Sequence, residues 1–251
     1  MLRYIRISIV MLFFVVACVN NDVTHYVDPN IGGVAPLLTT KVPTVHRPHS
    51  MVRVFPVTRP GLGDRYLSDR IYGFAVNMLA YRNGHLTELM PFHGTVSESM
   101  ASYSSLYDHD LEEVHPWRHQ VLLEDHNIIA DWTTTERAVI YRFTFQDEGE
   151  ANIVFRSKGN ASFTVAGDRS LKGWEESRGI RQYFYAEYSV PFIENGAIEN
   201  GKVLKGVDEI TGTKICSYQN FGDPSAPVEI RIGISFIDED QARDNLYREA
   251  E

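Results

Sequence analysis

Apolar and polar positions alternate with a period of two along most of the chain from His119 onward, the pattern of strands with one buried face. In residues 138–145, Val139, Tyr141, Phe143 and Phe145 fall on one face and Ile140, Arg142 and Thr144 on the other. In residues 228–236, Val228, Ile230, Ile232, Ile234 and Phe236 alternate with Glu229, Arg231, Gly233 and Ser235, which predicts an antiparallel strand with one wet face. Residues 180–190 are rich in aromatics and alternate as well. Asn195-Gly196 and Asn200-Gly201 read as turns between such strands. The fold class this predicts is all-β, an antiparallel β-sandwich.

The first half is less regular. Residues 71–78 and 85–92 predict a hairpin closed by Arg82-Asn83-Gly84. Residues 51–55 predict a strand with Val52 and Val54 on one face; residues 60–64 read as a turn, and 34–40 and 97–105 as loops. At the far end the period changes. Asp238-Glu239-Asp240-Gln241 has the form of a capping box, with Asp238 as N-cap and Gln241 reaching back, opening a short charged helix through Ala242, Leu246 and Ala250 that has little to bury.

Residues 1–18 carry Arg3 and Arg6, an apolar run over 7–17 and then Cys18, the layout of a secretory signal and too short a run to span a bilayer. Val15-Val16-Ala17-Cys18 resembles a bacterial lipoprotein signal, which implies lipidation of Cys18, a polar tether over 19–25, and a place in the outer membrane, at the cell surface or in the periplasm. The alternative is an ordinary secretory signal with an incidental cysteine. On the lipoprotein reading, Cys216 has no partner for a disulfide.

With 251 residues, 43% of them hydrophobic and 23% charged, the chain can bury a full core, and no Pro-, Gly- or Ser-rich linker divides it. The formal charge of −9 argues against nucleic acid as a partner, because phosphate tracking needs clustered Lys and Arg. Phosphate-binding glycine loops, dinucleotide fingerprints and nucleophile elbows are not found.

Candidate chemistry concentrates in residues 43–60. Pro43 and Pro48 stiffen this stretch and hold His46, Arg47 and His49 on a non-helical loop. A second polar stretch, residues 107–118, ends in Trp117 and Arg118 just before a strand, and an indole there could stack on the apolar face of a sugar. Trp132, in an alternating strand, reads as core. His46/His49 and His115/His119 have pairwise metal-ligand spacing, but Pro48 and Pro116 break the helical geometry that would align them, so no metal is assigned. Glu112-Glu113 and Asp238-Glu239-Asp240 read as a solvated turn and a helix start rather than a catalytic pair, and no catalytic residue is assigned.

Tyr26-Val27-Asp28-Pro29-Asn30-Ile31-Gly32-Gly33, Ile71-Tyr72-Gly73-Phe74, Asn152-Ile153-Val154, Lys172-Gly173-Trp174, Tyr183-Phe184-Tyr185-Ala186-Glu187 and Ile230-Arg231-Ile232-Gly233-Ile234-Ser235-Phe236 occur in an order that resembles the amino-terminal domain of glycoside hydrolase family 92. That family comprises calcium-dependent exo-acting α-mannosidases. The resemblance implies a galactose-mutarotase-like supersandwich over residues 26–237, followed over 238–251 by the start of a linker helix. It also implies a separate carboxyl-terminal helical barrel, absent from this chain, that holds the acid, the base and the calcium. The chain itself is then a carbohydrate-binding accessory domain, inactive alone and needing no cofactor, whose loops carry His46, Arg47, His49, Trp117 and Arg118 to a pocket for a mannose-containing glycan. The departures from the family pattern lie in residues 44–52 and 73–81, loops that face the family's sugar pocket. A free-standing surface lipoprotein that binds glycan or protein without catalysis is the alternative reading.

Overall fold

The period-two pattern folds into two antiparallel sheets laid face to face. The computed structural model describes residues 23–33, 42–58, 68–80, 84–99 and 103–250. In chain order the first strands are β1 (Pro56–Thr58), β2 (Arg70–Ala75), β3 (Met78–Ala80), β4 (Gly84–His85), β5 (Glu88–His93) and β6 (Ser105–Leu106). Then come β7 (Glu113–His115), β8 (Arg118–Leu123), β9 (Ile128–Thr134), β10 (Ala138–Phe145), β11 (Ala151–Arg156), β12 (Asn160–Val165) and β13 (Ser170–Ser177). The last are β14 (Ile180–Tyr188), β15 (Glu194–Glu199), β16 (Lys202–Lys205), β17 (Glu209–Thr213), β18 (Cys216–Asn220) and β19 (Val228–Ser235), before the helix α1 (Glu239–Glu249).

One sheet runs β17-β12-β13-β14-β19-β10-β9-β8-β7, the other β1-β2-β5-β11-β18-β15-β16 with β6 beside β2. Their inner faces share one core. Phe74 from β2 packs on Trp132, Tyr141 and Phe143 at centroid distances of 5.0, 5.9 and 5.9 Å, and Phe155 stacks on Phe184 at 5.7 Å. Fully burying each such ring contributes roughly 2–3 kcal/mol. The predicted alternation of β10 and the core placement of Trp132 hold: Val139, Tyr141, Phe143 and Trp132 are all buried. Tyr141 and Tyr188 keep their hydroxyls satisfied by donating to Ala75 O and Gln219 Oε1, both at 2.7 Å.

Several sequence expectations are corrected. Residues 51–55 form no strand; Val54 makes a single bridge with Val45, and pairing with β2 begins at Pro56. Val52 and Val54 are nevertheless buried, so the apolar positions were right and the ladder was not. Asn195-Gly196 lies inside β15, where a Cβ on Gly196 would come within 2.7 Å of the Tyr218 ring; the glycine makes room for that ring. Asn200-Gly201 does turn the chain, with φ of 49° and 71°. β19 stops at Ser235, leaving Phe236 43% exposed instead of inside.

The predicted hairpin over 71–92 forms, though in two parts: β2 pairs with β5, and β3 with β4 makes a separate tip. Residues 81–83 of its turn, like the turn at 60–64 and the leader with Cys18, lie outside the described residues.

Asp238 caps α1 as expected, accepting from Gln241 N at 2.7 Å, whereas the Gln241 side chain donates to Asn245 instead of reaching back. The helix also buries more than expected. Leu246 and Ala250 pack with Ala138, Ile140 and Tyr185 on the outer face of the larger sheet and Ala242 is buried beside Gly233, so the predicted wet face of β19 is covered at Gly233 and Ser235. Gly233 permits the crossing, for a Cβ there would stand 2.1 Å from Ala242 O.

Candidate functional site at one end of the sandwich

The register of the sheets brings the candidate loops to one end. β7, β9, β13 and β19 finish there and β8, β10 and β14 begin there, so the turns at 116–117, 135–137 and 178–179 share a rim with the chain after Ser235. The loop at 45–50 joins them. Met51 N donates to Glu136 O at 2.8 Å, and Arg53 N donates to Asn77 Oδ1 at 3.0 Å. Asn77 is buried and donates in turn to Gln182 Oε1 at 3.0 Å, tying loop and both sheets together.

Within that loop, Ser50 N closes on Arg47 O at 3.0 Å around Pro48 and His49, and His49 takes φ 61°. Proline followed by a left-handed residue is the pattern of a type II turn, and it holds Arg47 and His49 in exposed positions. His46 is also exposed; partial burial and then the Arg53 guanidinium hold its imidazole below the usual range. Arg47 lines a notch of about 330 Å³ with Thr135, Glu136, Arg137, Arg248 and Glu249.

Trp117 sits on the β7–β8 turn, 41% exposed, with one face of its indole stacked on His115 at 4.9 Å and 11°. Its carbonyl accepts from Thr133 Oγ1 at 2.6 Å. Arg118 is placed differently. Strand alternation turns it onto the outer face of the sheet, where it donates to both Asp131 oxygens at 2.9 Å and to Gln120 Oε1 at 2.7 Å. The Asp131 carboxylate raises the Arg118 pKa, and with Gln120 it occupies the guanidinium fork.

Under the rim lies a buried polar layer that sequence reasoning missed. Glu88 Oε1 meets Arg156 Nη2 at 3.1 Å, and its Oε2 lies 3.2 Å from Lys158 Nζ and 2.8 Å from His85 Nε2. Burial alone would raise the Glu88 pKa, but His85, Arg156 and Lys158 more than offset it and bring it to about 2. Arg156 also donates to Tyr72 O and, at 3.1 Å, to Tyr103 O. Beside it, buried Glu175 accepts from Thr87 Oγ1, Lys158 N and Gly159 N at 2.9, 2.9 and 2.7 Å. The available signal was a lone Glu opening the apolar run Leu89-Met90-Pro91-Phe92 and a lone Arg closing Ile153-Val154-Phe155.

The side chain of Glu112, read as part of a solvated turn, is in fact 3% exposed, with His109 Nδ1 at 3.0 Å and His119 Nε2 at 2.9 Å from its oxygens. His115 and His119 therefore serve different ends, one on the rim indole and one in the core beside Trp132. No group of three His, Cys, Asp or Glu placed to hold a metal occurs among the described residues.

The sequence profile described as Glycosyl hydrolase family 92 N-terminal domain matches residues 26–235. The chain belongs to that family. The family 92 sandwich superposes on a family GH92 inverting mannosidase from Bacteroides thetaiotaomicron with a TM-score of 0.79, at 22% identity over 90% of this chain and 33% of that one. A family GH92 α-mannosidase from the same organism, in complex with mannoimidazole, gives 0.75 at 21% identity over 90% and 34%. The family 92 domain thus spans about a third of the length of these structures, and at such identity the likeness carries the fold. No curated protein matches the sequence.

Proposed function

We propose that this chain is the amino-terminal accessory domain of a secreted, exo-α-mannosidase-like family 92 glycoside hydrolase, and that its rim supplies loops to a sugar pocket completed by a helical-barrel catalytic domain. The observation that carries the reading is that the family match runs the length of a sandwich whose one end gathers an exposed indole, two imidazoles and an arginine on fixed turns. Rigid sheet ends carrying short loops are where binding groups are best held. His46, Arg47, His49 and Trp117 are the residues we assign to the pocket, with a mannose-containing glycan as ligand; Arg118 is adjacent to Trp117 and steadies that corner through Asp131.

The chemistry of the rim supports a non-catalytic role. A glycosidase acid must carry a proton to the leaving oxygen, and a base must reach water. Here Glu88, Glu175 and Glu249 are each held by several donors at this end, so their oxygens are engaged within the fold. We assign the acid, the base and the calcium to the catalytic domain. The isolated chain should show no turnover of aryl mannosides or mannose-containing oligosaccharides; robust turnover without an added domain would sink the reading.

We also assign export and a lipid anchor at Cys18, on the arginine-apolar-cysteine order of residues 1–18. One acyl chain binds a bilayer only marginally while several hold it stably, so Cys18→Ser should move the protein from the membrane fraction to the soluble one. Unchanged partitioning would show the cysteine to be incidental.

A further inference from the structure

We propose that the notch between the Arg47 loop and the end of α1 is an anion site, and that the sugar taken at the rim carries an oxyanion: a carboxylate, sulfate or phosphate group. The inference rests on the rim reading and adds a substrate class to it. Its starting point is the balance of charge within the notch. The chain holds 33 acidic against 24 basic residues, so an arginine should readily find a carboxylate. Yet Arg47 and Arg248, both exposed and both lining the notch, have no carboxylate partner among the described residues.

The third arginine is fixed. Glu249 accepts from Thr135 Oγ1 at 2.7 Å, Arg137 N at 2.7 Å and Arg137 Nη1 at 2.6 Å. Burial alone would raise the Glu249 pKa, and these bonds lower it instead, so the carboxylate is ionised and its oxygens are occupied. It orients Arg137 without competing for the two other guanidiniums. Glu136 is the remaining acid of the notch, 3.8 Å from Arg137 and largely solvated. Three guanidiniums against two carboxylates leave the notch cationic in an acidic protein, and planar guanidinium forks match oxyanions on geometry as well as charge. Arg47 stands on a turn already closed by Pro48 and His49, so little backbone order is lost on binding.

The test is titration of the full chain, followed by NMR, with mannose, mannuronate, mannose 6-phosphate and inorganic phosphate at low and high salt. Both charged sugars should bind at least tenfold more tightly than mannose at low salt, and the gap should close at high salt. Arg47→Ala combined with Arg248→Ala should abolish the gap, and Glu136→Gln should widen it several-fold, a gain that no loss of folding can mimic. A gap under twofold, or one insensitive to these three substitutions, overturns the proposal. Equal affinity for inorganic phosphate and the sugar phosphate means an adventitious ion only and overturns it too. Binding of mannose that Trp117→Ala weakens while the notch variants change nothing defeats the anion site and leaves the rim reading standing; failure of both charged sugars to bind overturns the anion site alone, since the rim reading requires a pocket completed by the catalytic domain.

Discussion

Glu88 shows what a single carboxylate does at the joint between strand and rim. Its side chain is largely buried against Arg156, with Lys158 and His85 closing the remaining directions. The folded pKa of about 2 lies below the ordinary value of 4.5, so the stabilisation is fully present above pH 4.5 and is lost as pH falls from there towards 2. Replacing Glu88 with Gln should lower stability at pH 7 by roughly 3 kcal/mol, since it also strands a buried guanidinium. Urea melts from pH 7 to 2.5 check the sign: the difference between wild type and Glu88→Gln should shrink steadily below pH 4.5. A constant difference across that range would mean that Glu88 is not ionised in the folded protein. At this scale the sequence was readable where a residue is constrained by its neighbours and opaque where it is constrained by a partner far along the chain. Pro48 announced the fixed turn that exposes Arg47 and His49. Nothing local announced that Glu88 would pair across β5 and β11, or that the Glu112 side chain would be buried between two imidazoles.

The elements follow the same division. Alternation located β10, β14 and β19, because a half-buried strand writes its two faces directly into the sequence. It failed for 51–55, where Val52 and Val54 are buried without a ladder, and for the outer face of β19, which a helix covers. A signal for the helix existed: the outward positions of β19 change from Glu229 and Arg231 to Gly233 and Ser235 just where α1 crosses. Asn245 Nδ2 seals that crossing by donating to Ile234 O at 2.8 Å. Gly233→Ala therefore tests the docking. Its Cβ would meet a backbone oxygen at 2.1 Å and the Leu246 Cβ at 2.8 Å, so the helix must shift as a body. The expected cost is about 2–4 kcal/mol, as for other overpacked contacts against rigid backbone. A loss below about 0.5 kcal/mol would show that α1 is held loosely.

For the whole molecule, the two sheets share one core while one end carries the candidate chemistry, and this separates stability from function. Trp132 and Trp117 make the contrast sharpest, for one sits within the β8–β9 ladder and the other just before it. Trp132 is buried against Phe74, Tyr141 and His119, and Trp132→Ala should cost about 3–5 kcal/mol and lower the melting temperature by roughly 6–20 °C for a domain of this size. Trp117 stacks on His115 and is 41% exposed, and Arg47 has no carboxylate partner among the described residues, so Trp117→Ala and Arg47→Ala should each change stability by under about 1 kcal/mol in the isolated chain. A protein that joins this chain to the catalytic domain proposed above allows a second comparison. Phe236 and Ile237, 43% and 71% exposed beside Met51, give this end an apolar margin of the kind that interfaces cover, and arginines and aromatics serve interfaces as well as sugars. If the rim faces the pocket, Trp117→Ala and Arg47→Ala lower sugar affinity or turnover in the joined protein and leave its melting temperature unchanged. A lower melting temperature with intact sugar binding would move both residues from the pocket to the domain interface, and the sandwich would then support catalysis by holding the neighbouring domain rather than by touching the sugar.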